Sequence, residues 1–413
     1  MISAAVILLP TRCHPLTVVG GLSLLKRAIF TAQRAGAKTC YLVSAHTAEQ
    51  TSALRRSLAG DPRLSSRLVW LGPHETPPDP QPGGRDAEQC LAFEVQTVFA
   101  ANLARELAEA ATPQAVWAVS QAPQDYTLVV FPLSALPTAL ARLQTAGAEL
   151  AGGDWGAEVQ RFAADGYFLA QVSRPGLAAD VEKALLLSLP NPRDGLVDAY
   201  LNRKLSRPLT RLLLRTPLTP NHVTLLSCAI GLLGAACFWG GGYAWPIVGG
   251  LLLQFSAVVD CVDGEVARVK FLESPLGAWL DITLDTLVHI AIFVGVGIAV
   301  WKQGGATYAP LLGGALAVGA AICFPFVTMA EKTEEQGKQQ GGWENAIIQN
   351  MIEGLTSRDY SIIILLCALV QKLAWFLWSA AIGVQVFWCI LAVLLHKAGR
   401  LNWAVFSSRS LDA

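Results

Sequence analysis

Four aspartates carry the most pointed chemical signal in this sequence. Asp260 and Asp263 stand three residues apart in Asp260-Cys261-Val262-Asp263-Gly264-Glu265-Val266-Ala267-Arg268, and Asp281 and Asp285 follow, four residues apart. Those spacings put each pair on one face of a helix. Carboxylates repel one another and are costly at membrane depth, so four together call for a positive counterpart. Hard oxygen donors at this density suit Mg²⁺ or Mn²⁺, which bind carboxylates and leave room for phosphate oxygens. Gly264 and Gly277 remove side chains where a helix or substrate must come close. Arg268, one turn beyond Gly264, is a fitting place for a guanidinium that binds phosphate. A purely structural Asp–Arg network is the alternative, but one arginine would leave four acids unbalanced.

The elements that must position these groups are membrane helices. Hydrophobic residues make up 53% of the 413-residue chain and charged residues 15%, and the long uncharged runs all follow His222. With 31 basic against 31 acidic side chains, nothing in the charge balance points to nucleic acid. Six spans are expected, at about 222–240, 245–267, 276–300, 308–330, 355–371 and 374–396, since about 20 apolar residues cross a bilayer core. Alternation from a cytoplasmic start puts Arg268, Lys270, Lys332, Lys338, Lys397 and Arg400 inside, and only Lys302 and Lys372 outside. The positive-inside rule then places both termini in the cytoplasm, with the protein integral to the cytoplasmic membrane. All four aspartates fall near the cytoplasmic boundary, on antiparallel second and third spans.

Before the spans, Asp194 to Arg215 carries Arg203, Arg207, Arg211 and Arg215 at every fourth position, with Leu201, Leu205, Leu209, Leu212 and Leu213 covering much of the other side. An amphipathic helix over 191–217, lying in the headgroup region, fits this pattern; a surface helix packed on the soluble domain is the other reading. Pro208 is expected to kink it.

Residues 1–190 alternate strand-like and helix-like segments and predict an α/β Rossmann-like domain with a parallel sheet. Expected strands are Ala4–Leu9, Thr39–Ser44, Ala115–Val119 and Thr127–Phe131; expected helices are Leu22–Ala35, Thr47–Leu58 and Ala87–Ala110. The nine cysteines form no Cys-x-x-Cys pair and read as buried small residues in a reducing compartment. The first ten residues lack a basic segment and a cleavage site, so no secretory signal is expected.

The spacing Asp-x-x-Asp-Gly-x-x-Ala-Arg-x8-Gly-x3-Asp-x3-Asp resembles the complete signature of the CDP-alcohol phosphotransferase family, over about residues 195–400. The resemblance implies an all-α six-helix transmembrane bundle at 218–400, followed by a cytoplasmic tail at 401–413. It implies transfer of a substituted phosphate from a CDP-alcohol to a hydroxyl acceptor, with release of CMP and membrane lipid among the partners. It further implies that Asp260, Asp263, Asp281 and Asp285 hold a divalent metal pair, that Asp285 is the general base, and that Gly264, Ala267, Arg268 and Gly277 border the CDP moiety. Asn221 and Thr224, in Thr219-Pro220-Asn221-His222-Val223-Thr224, resemble the family's turn near the nucleotide, although Pro and Asn can also simply start a helix. Arg358, and with it Arg215, is a candidate for an acceptor phosphate, Arg358 standing equally as a snorkelling interfacial arginine. A homodimer is compatible with this arrangement.

Val18 to Arg27 and Ala35-Gly36-Ala37 resemble the early helix of sugar-nucleotide nucleotidyltransferases, and the fusion resembles bifunctional inositol-phosphate cytidylyltransferase/di-inositol-phosphate-phosphate synthases. Leu9-Pro10-Thr11-Arg12-Cys13-His14 stands where such enzymes have a glycine-rich loop, the lysine usual before Val18 is missing, and Pro132-Leu133-Ser134 follows Phe131 without an aspartate. The domain is therefore expected to be degenerate, with Arg12 and His14 either ligand contacts or ordinary loop residues. Two alternatives stand beside the transferase: a bifunctional enzyme that makes its own CDP-alcohol, and a catalytically idle membrane scaffold.

Overall fold

A computed structural model describes residues 1–72, 75, 88–111, 116–122, 125–150, 159–189, 195, 197–337 and 360–397. The chain divides into two compact units, Met1–Ser188 and Leu189–Ala413.

The first unit is built on β1 (Ile2–Leu9), whose apolar run is buried on both sides. Ala5, Ile7 and Leu9 face one core and Ala4, Val6 and Leu8 the other, as a period of two requires. Helices α1 (Leu24–Ala35) and α3 (Ala101–Ala110) supply the first core with Leu25, Ile29, Leu103 and Leu107. They are joined there by Leu54 and Leu58 of α2 (Ala48–Leu58) and Val181 of α5 (Ala178–Leu187), while α4 (Leu136–Thr145) covers the second with Leu136, Leu140 and Leu143. Ser23 caps α1, and a Thr47–Gln50 capping box starts α2.

Seven strands form the sheet in the order β10 (Val159–Phe162), β8 (Val116–Ala122), β9 (Asp125–Pro132), β6 (Gln89–Glu94), β1, β4 (Thr39–Ser44), β5 (Arg67–Leu71). Two short ribbons, β2 (Val18–Val19) with β3 (Leu22–Ser23) and β7 (Thr97–Phe99) with β11 (Leu169–Gln171), stand apart. The sheet is mixed rather than parallel, because β9 runs antiparallel to both β6 and β8. The expected helix Ala87–Ala110 is instead two strands followed by α3. Cys90, Leu91, Ala92 and Phe93 are wholly buried between β1 and β9. A short run that is apolar on all sides has no period to tell strand from helix.

The mixed topology also corrects the search for a missing acid after Phe131. Pro132 ends β9 opposite Gln89, at the start of β6, so that position lies on the far edge of the sheet from Leu9. Both strands beside β1 run parallel to it and end at the Leu9 edge, β4 in Ser44 and β6 in Glu94, the latter 5% exposed. Arg12 bonds to Glu94 at 3.1 Å and approaches Glu149 at 3.5 Å. Two backbone N–H groups of the Pro10–Thr17 stretch are spent internally, Cys13 on Pro10 and Thr17 on His14. No disulfide joins any of the nine cysteines, and burial beside Glu94 pushes the Cys13 thiol up to about 12.

The second unit begins with a π-helical turn (Asp198–Asn202) and α6 (Arg203–Leu214), followed by α7 (Pro220–Cys237), α8 (Ala244–Lys270), α9 (Pro275–Gly304), α10 (Ala309–Gly337), α11 (Tyr360–Leu369) and α12 (Leu373–Lys397). Five of these, α7 to α10 and α12, are long and apolar enough to cross a bilayer, and the chain is an integral membrane protein. Against the six expected spans, α11 has ten residues, and the expected start of that span at 355–359 lies outside the described residues. Helices α9 and α10 close on facing glycines, where a Cβ on Gly297 would meet Gly313 Cα at 3.1 Å.

Helix α6 continues through Pro208, and its orientation partly revises the expected basic stripe. Leu201, Leu205 and Leu212 point outward, as an interfacial helix requires, but Arg203 is 8% exposed and turned inward with Ser206, Thr210 and Leu214.

Candidate active site

The connection between α8 and α9 sets the site. Helix α8 stops at Phe271, whose φ of 54° is left-handed, and Leu272 N–H caps Ala267 at 2.9 Å. Ser274 then caps α9, its hydroxyl accepting from Gly277 N–H at 3.0 Å, with Pro275 in the first turn. The chain therefore reverses within a few residues, and α7 packs against both helices. Asp260 and Asp263 are buried on α8, while Asp281 and Asp285 are half-buried on α9.

One carboxylate oxygen from each of Asp260, Asp281 and Asp285 lies within 4.8 Å of the other two. Opposite ligands of an octahedral Mg²⁺ lie ~4 Å apart at its preferred bond length, so small side-chain rotations bring these three onto one ion. An all-oxygen, all-anionic donor set fits Mg²⁺ or Mn²⁺ and does not fit a soft metal. Asp263 falls outside this trio but lines the adjoining cleft of about 140 Å³ with Asn221, Thr224, Gly264, Ala267, Arg268, Gly277 and Asp281. Glu273 and Ser274 also line it. Gly277 is needed for its shape, because a Cβ there would sit 3.0 Å from Ser274 Oγ and 3.2 Å from Asn221 Oδ1. At Gly264 an added Cβ would meet the Arg268 guanidinium at 3.2 Å.

Residues 217–395, which hold all of these groups, match the family model described as CDP-alcohol phosphatidyltransferase. Over these residues the chain is similar to the CDP-alcohol phosphatidyltransferase family. Among curated relatives, the chain is 37% identical over 130 residues to a bifunctional IPC transferase and DIPP synthase of Aquifex aeolicus, covering 30% of this chain and 28% of that one. It is 38% identical over 93 residues to a phosphatidylinositol phosphate synthase of Mycolicibacterium smegmatis, covering 22% and 41% respectively. The chain thus spans less than half the length of these relatives. A phosphatidylinositol phosphate synthase of Mycobacterium tuberculosis, solved in apo form, aligns at 22% identity and a TM-score of 0.31, over 47% of this chain and 98% of that one.

Several contacts of the second unit were not expected from spacing. Thr224 donates to Asp263 Oδ2 at 2.7 Å, so α7 braces that acid of α8, while Ser227 donates to the Thr224 carbonyl at 2.8 Å and lies 3.5 Å from Asp260 Oδ1. Asn221 and Thr224 start α7, whose cap is a Thr219–His222 box, as the helix-start reading of that turn expects. Glu265, 1% exposed, lies among Arg203, Ser206 and Thr210. Arg215 sits exposed at the end of α6 and does not line the cleft, and Arg358 lies outside the described residues. A hydroxyl on a facing helix, as at Thr224, was the available signal for the brace.

Proposed function

We propose that the membrane domain transfers a substituted phosphate from a CDP-linked alcohol to the hydroxyl of an acceptor, releasing CMP. The observation that carries this reading is a single cleft that gathers the glycines, the arginine and two aspartates of the signature beside a trio of carboxylates. In this reading the cytidine diphosphate occupies the cleft, bordered by Asn221, Thr224, Gly264, Ala267 and Gly277, and Arg268 donates to its phosphate oxygens. Asp260, Asp263, Asp281 and Asp285 would hold one or two Mg²⁺ or Mn²⁺ ions, which when bound supply positive charge against the pyrophosphate and the departing CMP. Asp285 takes the proton of the acceptor hydroxyl as that oxygen attacks the phosphorus bearing the alcohol. The bond from that phosphorus to the CMP oxygen breaks, and CMP leaves with the electron pair.

The name phosphatidylinositol phosphate synthase among the relatives favours a phosphorylated polyol as acceptor, with Arg358 or Arg215 receiving its phosphate. We place the cleft and both termini on the cytoplasmic side, where basic residues flank the helix ends. Purified protein in detergent, given CDP-diacylglycerol or a CDP-polyol, a series of polyol phosphates and Mg²⁺ or Mn²⁺, should release CMP only when donor, acceptor and metal are all present. Failure of every pair to yield CMP would overturn the reading.

A second reading, in which the first unit also makes the CDP-alcohol from CTP, is favoured by the names of the bifunctional relatives. Against it stand the Pro10–Thr17 segment, whose Cys13 and Thr17 N–H groups are bonded within the loop, and Glu94 held by Arg12. Phosphates lacking backbone donors and a metal-binding acid have little to hold them. CTP with an alcohol phosphate should give no pyrophosphate with the intact chain; brisk release would restore the bifunctional enzyme.

A further inference from the structure

In the second unit, most of the buried polar groups that the transfer chemistry leaves unused lie on one seam, between α6 and the back of α8. Glu265 accepts from Arg203 at 3.1 Å, from Ser206 at 2.8 Å and from Thr210. Arg203 also reaches the Cys261 carbonyl at 3.4 Å. Toward the start of α8, Gln254 donates to Asn202, which donates to Asp198 at 2.6 Å, while Ser361 of α11 donates to Gln254 at 2.7 Å. At the other end Lys270 donates to the Thr216 carbonyl, just past the end of α6, at 2.9 Å. Asn202, Ser206 and Thr210 are 0% exposed and Ser361 is 1% exposed, so the seam is dry.

Such a seam is expensive. A buried ion pair seldom adds net stability over apolar side chains of the same shape, and ionisable groups among membrane helices are retained for a purpose. The purpose is legible in the geometry of α8. At about 100° per residue, Glu265 lies on the side of the helix turned away from Asp260 and Asp263. The front of α8 must hold a carboxylate within 4.8 Å of Asp281 and Asp285 on another helix. A rotation of α8 by about 20° would carry a carboxylate ~5 Å from the helix axis by roughly 2 Å, enough to undo that approach. Contact between apolar helix faces resists such rotation weakly, whereas directional hydrogen bonds on the opposite side resist it strongly.

We infer that Glu265 is a positioning residue for the metal-binding acids, and that α6, through Arg203, Ser206 and Thr210, fixes the rotation of α8 from behind. The inference rests on the phosphotransferase reading, since it assigns Asp260 and Asp263 their task. Helix α6 is then part of the active-site framework, with Leu205 and Leu212 outward toward lipid and its polar face inward on Glu265.

The test uses the full chain, purified in detergent, with Mn²⁺ as the probe and electron paramagnetic resonance as the readout, below the melting temperature of each variant. Glu265→Gln should raise the apparent Kd for Mn²⁺ about tenfold, the low end for losing a group that orients metal ligands. Its CMP release should fall at limiting Mn²⁺ and recover at saturating Mn²⁺. The double variant Ser206→Ala/Thr210→Val keeps the ion pair, covers the event that Glu265→Gln fails to fold, and should shift the Kd in the same direction by less. A seam that served stability alone would lower the melting temperature and leave Mn²⁺ affinity untouched, and that result overturns the inference. Wild-type protein that binds no Mn²⁺ would instead remove the phosphotransferase reading, and the inference with it.

Discussion

Thr224 Oγ1 donates to Asp263 Oδ2 at 2.7 Å, joining the first turn of α7 to the signature helix α8 across 39 residues of sequence. The Pro220 carbonyl, 3.1 Å from the same oxygen, is the longer alternative acceptor for its one proton, and the threonine sits at a helix start held by a proline and a capping box. Read from sequence, Thr224 is either a nucleotide contact or part of a helix start; in the fold it fixes the direction of a carboxylate.

Thr224→Val keeps the shape and removes the donor. A hydrogen bond to a charged group contributes about 1.5–3 kcal/mol, so CMP release should fall by roughly ten- to a hundredfold. Elution and melting temperature should stay close to wild type. Unchanged turnover would show that Asp263 does not depend on this brace.

Asp281 belongs to both the carboxylate trio and the cleft, so Asp281→Asn should remove more than nine-tenths of CMP release at saturating Mg²⁺, a barrier rise above ~1.4 kcal/mol. Asp285→Asn should differ in its pH profile. If Asp285 is the base, the residual rate should climb with pH as the acceptor hydroxyl ionises unaided, whereas Asp281→Asn should show no such recovery. Parallel profiles for the two variants would dismiss the base.

Gly277→Ala tests the cleft wall. The new methyl would stand 3.0 Å from Ser274 Oγ and 3.2 Å from Asn221 Oδ1, tighter than relaxed packing, and one of them must move. Overpacking of this kind costs about 1–3 kcal/mol. We expect the KM for the CDP-alcohol to rise with little change in Mn²⁺ affinity. A loss of Mn²⁺ binding with unaltered KM would assign Gly277 to the metal trio instead.

In the first unit, Asp61 receives Arg63 at 2.7 Å and Lys26 at 2.8 Å, and the Arg63 guanidinium, ahead of the lysine, holds its carboxyl well below the usual carboxylate range. A depressed folded-state pKa adds stability that is present above the unfolded value and lost as pH falls through the folded one. Asp61→Asn should therefore destabilise this unit at neutral pH, with the deficit shrinking once pH drops below about 4. Pulse proteolysis in urea across that range reads the difference. A deficit that stays constant with pH would mean that packing, including Arg63 over Phe30, rather than charge, sets the role of Asp61.

What the sequence determined by itself was local and periodic. Spacings of three and four put the aspartates on helix faces, the apolar runs marked α7 to α10 and α12, and the fixed order Asp-x-x-Asp-Gly-x-x-Ala-Arg carried the family. Each of these depends on residues within a few turns of one another, where helical geometry alone decides which side chains meet. The tertiary structure decided what depends on distant partners. The run at Cys90–Phe93 became a strand because β1 and β9 bury both of its faces. The reversal of β9 placed Glu94, not the residue after Phe131, at the edge beside Leu9. Arg203 carried no mark in its own neighbourhood to set it apart from Arg207 and Arg211. It left the expected basic stripe because Glu265, 62 residues away, is a buried charge that needs a partner, and only the folded chain brings the two together.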